Sequence, residues 1–368
     1  MSITLLTADE ATRALALRDL TDPAEGRHAI QRLVDDATRA LSRAWNCPVR
    51  VYRGTRIVTL ADNYDSLGYS PDAVTRDERY TRYVAPDQVL RSHTSALIPG
   101  ALRTLGPVDD VLLACPGVVY RRDSIDRLHS GTPHQLDLWR VSRTRELGPG
   151  DLKEMIDVLV RTLLPGAEYR VAAREHPYTT HGLQIDVDND DEWVEIGECG
   201  LAGEHVLRGA HVEGTGLAMG LGLDRILMLR KGIADIRLLR DPDPRVAGQL
   251  CDLGLYRPVS SHPPVTRDIS IAVEDDDTVE NMGDRVRHAL GADADAVEKV
   301  AVLSETPGAE LPPIARERLG LVDGQKNVLV RVVLRHPSRT MTRDEANEIR
   351  DRVYDALTAS VSSLRSRG

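Results

Sequence analysis

Residues 118–137, VVYRRDSIDRLHSGTPHQLD, begin and end in strand-like sequence and crowd both signs of charge between. Arg121, Arg122, Asp123, Asp126, Arg127 and His129 fall within nine positions. Arginine offers a planar fork of donors that matches phosphate oxygens, and a neighbouring carboxylate takes up an ammonium or an exocyclic amine. A hairpin carrying both suits a molecule with a phosphate at one end and an amino group at the other. Two other stretches add compatible groups. LRSHTSA (90–96) supplies His93, Thr94 and Ser95 as compact hydrogen-bonding side chains, and GLGLDR (220–225) places Arg225 just after glycines that let backbone approach a ligand closely. Two separated arginines, each beside an acid, fit a nucleotide attacked at its α-phosphate. Positioning and electrostatic stabilisation would carry most of such catalysis. No G-x-S-x-G or Cys–His signature marks a protein nucleophile, and that reaction needs none.

The elements that must hold these groups read as α+β. Residues 21–45 give a helix with Ile30, Leu33, Val34, Ala37 and Leu41 on one face. Short strands follow at 49–54 and 56–61, then an irregular polar stretch from Asp62 to Asp87. Strands are expected around 111–121 and 134–142, and a helix over 152–164 has Ile156, Leu159, Val160 and Leu163 as its apolar stripe. LQIDVD and EWVEIG read as antiparallel strands joined by a turn, and GLAMGLGLDRILMLRKG starts as strand and becomes helix. The expected architecture is an antiparallel sheet with helices on one side. A second unit starts near Pro258. Its order β-α-β-β-α, with a further short strand in SVSSLR, is that of a ferredoxin-like domain, so the boundaries are 1–257 and 258–368. The last helix opens on a capping box of Thr342 with Glu345.

Composition narrows the partners. A chain of 368 residues, 41% hydrophobic, can bury a substantial core, and a net charge of −10 argues against indiscriminate nucleic-acid binding while leaving room for a local basic face. No apolar run approaches a membrane span, and MSITLLTADEAT lacks a leader pattern, so a cytoplasmic location is expected. Cys47, Cys115, Cys199 and Cys251 are scattered without C-x-x-C spacing, which indicates neither a disulfide framework nor a zinc site. Gly220 and Gly222 on their own read as packing glycines, His205 and His211 as loop residues, and VDNDDE (187–192) as a solvated turn. One count is anomalous: the chain has no Phe, where roughly ten would be ordinary.

The hairpin GVVYRRDSIDRLHSGTPHQLD resembles motif 2 of the class II phenylalanyl-tRNA synthetases, and GLAMGLGLDRILMLRKGIADIRLL resembles their motif 3. DNYDSLGYSPDAVTRDERY and VLRSHTSA are similar to segments of the single-chain, mitochondrial-type form. PPVTRDISIAV and LRHPSRTMTRDEANEIRDRV are similar to its C-terminal anticodon-binding domain. The resemblance runs in order over roughly residues 20–368. It implies ATP and Mg²⁺, an aminoacyl-adenylate, and transfer to tRNA-Phe. Residue by residue, Arg121 matches the arginine on the α-phosphate, Asp123 the acid near the adenine or amino-acid head, and His129 the loop position that reaches ATP. Arg225 matches the γ-phosphate arginine with Gly222 in its glycine run, and Glu195 the acid that holds Mg²⁺. His93, Ser95, Gln135 and Asp137 match groups that orient the ammonium and carboxylate, and Ala218 the small residue beneath the para position. The single-chain form implies a monomer, whereas many class II enzymes are homodimers.

Departures from that pattern cluster at the pocket. His176-Pro177-Tyr178 stands where the family has Phe-Pro-Phe, and Tyr64, Pro133, Leu183, Met219, Leu239 and Ile271 stand at other common Phe positions. Gln184 replaces a usual acid, and Glu198 falls in the usual Gly-Cys-Gly. The implied substrate is phenylalanine or a close aromatic analogue. In the second unit Arg331, Arg335 and Arg339 recur every four residues with no acid between 328 and 343, a strip suited to tracking RNA phosphates. Two other readings stay open. One is a paralogue that passes an adenylate to a non-tRNA acceptor, and the other is an inactive RNA-binding homologue.

Overall fold

A computed structural model describes residues 4–78, 80–107, 109–189, 192–259, 264–336 and 339–363. The main sheet has seven strands: β1 (Val49–Val51), β5 (Asp110–Val118), β6 (His134–Ser142), β7 (Tyr169–Ala173), β8 (Thr179–Asn189), β9 (Glu192–Ala202) and β10 (Thr215–Gly222). Their order is β1-β5-β6-β10-β9-β8-β7. All neighbours run antiparallel except the edge pair β1–β5, which is parallel, so the expected antiparallel sheet is a mixed one. A small sheet of β2 (Ile57–Thr59), β3 (Arg82–Ala85) and β4 (Gln88–Leu90) lies within the polar stretch.

Side-chain alternation gives the main sheet two different faces. One receives helices. The helix Ala29–Trp45 starts on a cap in which His28 accepts from the Ile30 N–H at 3.2 Å, and it buries Ile30, Leu33, Val34, Ala37 and Leu41. The guanidinium of Arg140, a β6 residue, sits 4.5 Å over the ring of Trp45 in that helix and is paired by Asp110 at 2.7 Å. The expected helix over 21–45 is therefore shorter. Pro23–Glu25 is one 3-10 turn, because Gly26 takes φ 105° and interrupts it. The other face carries the polar residues. At one end it is closed by Leu97, Ile98, Leu113, Trp139, Val206, Leu207 and Ala218, which form one apolar cluster.

Contacts divide the chain into two units, and the second comprises residues 122–131, 234–248 and 257–368. It holds β11 (Val265–Glu274), the helix Val279–Leu290, β12 (Val297–Pro307), β13 (Gln325–Leu334) and the helix Arg343–Ser363. The strand order β11-β13-β12 is wholly antiparallel and is the order of a ferredoxin-like βαββα arrangement. Ile271, Val273, Met282, Val286, Val330, Val332, Ala346, Val353 and Leu357 form its core. Glu345 accepts from the Thr342 N–H at 2.7 Å and Thr342 Oγ1 from the Glu345 N–H at 3.2 Å, closing the capping box. The strand expected in SVSSLR is helix as far as Ser363. Among the described residues, no helix is long and apolar enough to cross a membrane.

Candidate active site

Strand register builds the site. Cys115, Asp137, Gly220, Glu198, Gln184 and Ala172 are successive cross-strand partners on β5, β6, β10, β9, β8 and β7, so their side chains share a face. Two residues to one side lie Trp139, Ala218 and Gly200, and two to the other Gln135 and Gly222. This face therefore gathers Gln135, Asp137, Ala218 and Gly222, four of the residues singled out from sequence. Glu195 reaches it by a bulge. Between Ile185 and Asp186 the pairing on β9 advances two residues, from Gly197 to Glu195. Strict alternation from Glu198 would turn Glu195 to the helical side, and the extra residue returns it to the polar side opposite Asp186.

At one end of the polar row, Asp137 is buried. It accepts a hydrogen bond from Thr94 Oγ1 at 2.7 Å, and the Trp139 indole N–H lies 3.4 Å from its other oxygen. Burial pushes its carboxyl up to about 6, although bonds from Thr94, Ser95 and Trp139 pull the other way. Gln135 Oε1 accepts from the Thr94 N–H at 3.2 Å, so the 93–95 turn and β6 are tied together. His93 stacks on Tyr69 with centroids 5.7 Å apart and meets Tyr64 edge-on. Both its ring nitrogens are buried without a hydrogen-bond partner among the described residues. Burial and the Arg121 charge lower it to about 4, so it is neutral at pH 7.

Arg225 lies in the first turn of the helix Leu223–Lys231. Its guanidinium donates to the Glu195 carbonyl at 3.2 Å and stands 4.0 Å from Glu195 Oε1. Burial raises the Glu195 carboxyl, with the Glu198 and Asp186 charges adding to the effect and Arg225 opposing it. Among the described residues no three His, Cys, Asp or Glu side chains gather into a cation site, so the Mg²⁺ role expected of Glu195 rests on that carboxylate alone. A residue pair that sequence reading missed fixes this geometry. His134, fully buried on β6, donates its backbone N–H to Asp224 Oδ2 and sets Nδ1 3.0 Å from Asp224 Oδ1. Its Nε2 accepts from the Leu20 N–H, which leaves the ring proton on Nδ1 for Asp224. The residue before Gln135 is thus bound to the residue before Arg225.

The pocket wall is aromatic and polar at once. Tyr178 stacks with Trp139 at 6.3 Å and with His176 at 5.7 Å, and Tyr69 lies 6.4 Å from it. His176 Nε2 is 2.9 Å from Glu198 Oε2, and Arg174 Nε is 3.4 Å from Glu198 Oε1. A side chain at Gly182 would drive into the Arg174 carbonyl and meet His176 Nδ1 at 3.0 Å, so glycine there lets the β7–β8 connection fold onto the face. Tyr69 and Trp139 join the site without having been singled out from sequence, Trp139 standing two residues beyond Asp137 on the same strand face.

By their contacts Asp123 and His129 fall in the second unit, where Arg287 donates to the carbonyls of Asp123 and Ser124 at 2.5 Å each and His129 Nδ1 pairs with Asp126 at 2.7 Å. Ile125 enters that unit's core, and its carbonyl accepts from the Val300 N–H. Contacts within the first unit do not include them, whereas Arg121, one residue before the break, acts electrostatically on His93 and Glu198. The expected basic strip is also engaged. Arg331 is held by Asp268 at 2.7 Å, Arg335 by Glu298 at 2.7 Å and Arg339 by Glu345 at 3.0 Å. β13 ends at Leu334, so strand periodicity orients Arg331 but not Arg335.

Comparison with known proteins gives this face a family. The family model described as tRNA synthetases class II core domain (F) matches residues 18–250. The chain belongs to the class II aminoacyl-tRNA synthetases of the phenylalanyl type. Among its relatives is the Phenylalanine--tRNA ligase, chloroplastic/mitochondrial, of Arabidopsis thaliana, 30% identical over 315 residues, which covers 82% of this chain and 69% of the relative. The Phenylalanine--tRNA ligase alpha subunit of Corynebacterium jeikeium is 35% identical over 196 residues, 50% of this chain and 54% of the subunit. The match to the plant relative extends beyond the half of this synthetase that the match to the alpha subunit covers. Its mixed seven-stranded sheet is the class II core, and its second unit is the smaller α+β domain.

Proposed function

We propose that this synthetase condenses phenylalanine or a close aromatic analogue with ATP to form an aminoacyl-adenylate, then transfers the acyl group to tRNA-Phe. The observation that carries the reading is the polar row itself. Asp137 lies beside Thr94, Ser95 and Gln135 at one end, and Glu195 with Arg225 lies on the same face beyond it. In the first step the amino acid's carboxylate oxygen attacks the α-phosphorus and pyrophosphate leaves. Asp137 holds the ammonium, while Gln135 and the 93–95 turn fix the carboxylate for in-line attack. Arg121 stabilises the charge growing on the α-phosphate, and Arg225 takes the departing pyrophosphate. Enzymes of this class use ATP with Mg²⁺. Here Glu195 would hold the ion, whose charge neutralises phosphate oxygens when bound. In the second step a ribose hydroxyl attacks the acyl carbon and AMP leaves, so neither step needs a protein nucleophile.

The second unit is read as the anticodon-binding domain, with Arg331, Arg335 and Arg339 toward RNA phosphates. Support comes from its ferredoxin-like order and from the single-chain relative. The test is amino-acid-dependent ATP–pyrophosphate exchange, followed by charging of total tRNA with each active amino acid. Exchange and charging with an aromatic amino acid are expected. Exchange without charging would move the acceptor away from tRNA, and silence in both would overturn the enzymatic reading.

A further inference from the structure

The pocket contains a carboxylate that recognition of a plain phenyl ring does not need. Glu198 shares the polar row with Asp137, and the one residue between them is Gly220, above which a methyl group would meet nothing closer than Asp137 Oδ2 at 3.7 Å. The two carboxylates therefore reach from strands roughly 9–10 Å apart, two interstrand spacings, across an open floor. Glu198 is fixed in place: His176 Nε2 stands 2.9 Å from one oxygen and Arg174 Nε 3.4 Å from the other. Its side chain keeps 28% of its surface exposed, so acceptor capacity is left over beside these two pairings. The stacked rings of His176, Tyr178 and Trp139 border the same space and supply a platform for an aromatic side chain.

We infer that the amino acid activated here carries a hydrogen-bond donor on its aromatic ring, a phenolic O–H or a ring N–H, which Glu198 accepts. This rests on the reading that the face activates an aromatic amino acid at all. Asp137 at one end receives the ammonium and Glu198 at the other receives the ring donor, so the substrate spans the bare Gly220 floor. Burial opposes ionisation of Glu198, but His176, Arg174 and Arg121 outweigh it and hold the carboxyl below its ordinary range. A phenyl ring pressed against this anion would strip its water and return no hydrogen bond, which is costly. His176 acts as a positioning residue. Its Nδ1 faces Thr179 Oγ1 at 3.3 Å and its Nε2 stands 2.9 Å from Glu198 Oε2, so the ring is held between the two.

The test is pyrophosphate exchange at saturating ATP with L-phenylalanine, L-meta-tyrosine, L-para-tyrosine and L-histidine. Wild-type protein is expected to show kcat/KM for one donor-bearing substrate at least about tenfold above phenylalanine. The two tyrosines report a phenol and histidine a ring N–H. Glu198→Gly should reverse the order, raising kcat/KM for phenylalanine and lowering it for the donor-bearing substrate, mainly through KM. Glu198→Gln keeps the volume and one acceptor oxygen, and should fall between, which guards against a folding failure in the glycine variant. Phenylalanine as the best wild-type substrate, or equal change for all substrates in Glu198→Gly, overturns the inference and leaves the activation reading standing. Absence of exchange with every amino acid overturns both.

Discussion

Thr94 donates its hydroxyl to Asp137 at 2.7 Å across 43 residues of sequence, and with Ser95 and Trp139 it surrounds a carboxyl that burial nonetheless pushes up to about 6. The folded value exceeds the ordinary 3.8, so the folded chain holds the proton more tightly than the unfolded one. The stability Asp137 contributes is full below about pH 4 and is lost as pH rises to about 6. Two units correspond to on the order of 2–3 kcal/mol. Asp137→Asn should therefore be more stable than wild type at pH 7 by up to this amount in denaturant unfolding, and should lose amino-acid activation. A variant that loses activity and stability together would contradict this.

The same carboxyl sets a pH dependence. Only its ionised form attracts an ammonium, so kcat/KM for the amino acid should fall as pH drops through about 6. His93 titrates near 4 and stays neutral across this window. The expected profile has one descending acid limb, steeper in kcat/KM than in kcat, since bound ammonium holds the carboxylate ionised. Pyrophosphate exchange between pH 5 and 8 checks it.

Arg225 is anchored at 3.2 Å by the Glu195 carbonyl rather than by a tight side-chain ion pair, the carboxylate being at 4.0 Å. The guanidinium is positioned with charge to spare for phosphate. Arg225→Gln should lower kcat/KM for ATP by roughly 10²–10³. Arg225→Lys should recover little of this, because a point charge cannot reproduce the planar fork. Steady-state exchange kinetics with ATP varied would show it.

Much of this site was legible because its residues fall in compact motifs whose chemistry is local: Arg121 beside a strand end, Arg225 after paired glycines, His93 and Ser95 in one turn. The fold class followed equally from hydrophobic periods. Register was not legible. That Asp137, Gly220 and Glu198 form one row depends on hydrogen-bonded pairing between segments 80 residues apart, and that Glu195 joins them depends on a bulge at Ile196. Alternation counted along β9 alone gives the wrong face. The ATP-binding roles that the motif 2 resemblance implies for Asp123 and His129 could not be read against the strand register, because contacts count those residues with the second unit.

The His134–Asp224 pair makes a structural prediction of its own. Asp224 accepts both a backbone and a ring N–H of His134 in a fully buried setting. Asp224→Ala would orphan two donors and should cost on the order of 2–4 kcal/mol in denaturant unfolding. Asp224→Asn retains an acceptor oxygen and should cost less. Because the pair joins β6 to the helix that bears Arg225, the asparagine variant should lower kcat for exchange more than it raises KM for either substrate.

Arg331 and Asp268 face each other on β13 and β11 with two bonds of 2.7 and 2.8 Å, both side chains partly open to solvent. An exposed pair of this kind contributes little to stability, so its arginine can exchange the carboxylate for an RNA phosphate. Replacing Arg331 and Arg335 together by Gln should weaken tRNA charging and reduce the salt dependence of tRNA binding by about one unit of slope per lost contact. Adenylate formation should be unchanged, because neither residue belongs to the polar face. Asp268→Asn should act the other way: freed of its competitor, Arg331 would bind phosphate more readily and charging at low tRNA concentration would rise. Equal loss of exchange and charging in the double variant, or weaker tRNA binding in Asp268→Asn, would make the pair a fastening of the small sheet with no part in RNA binding.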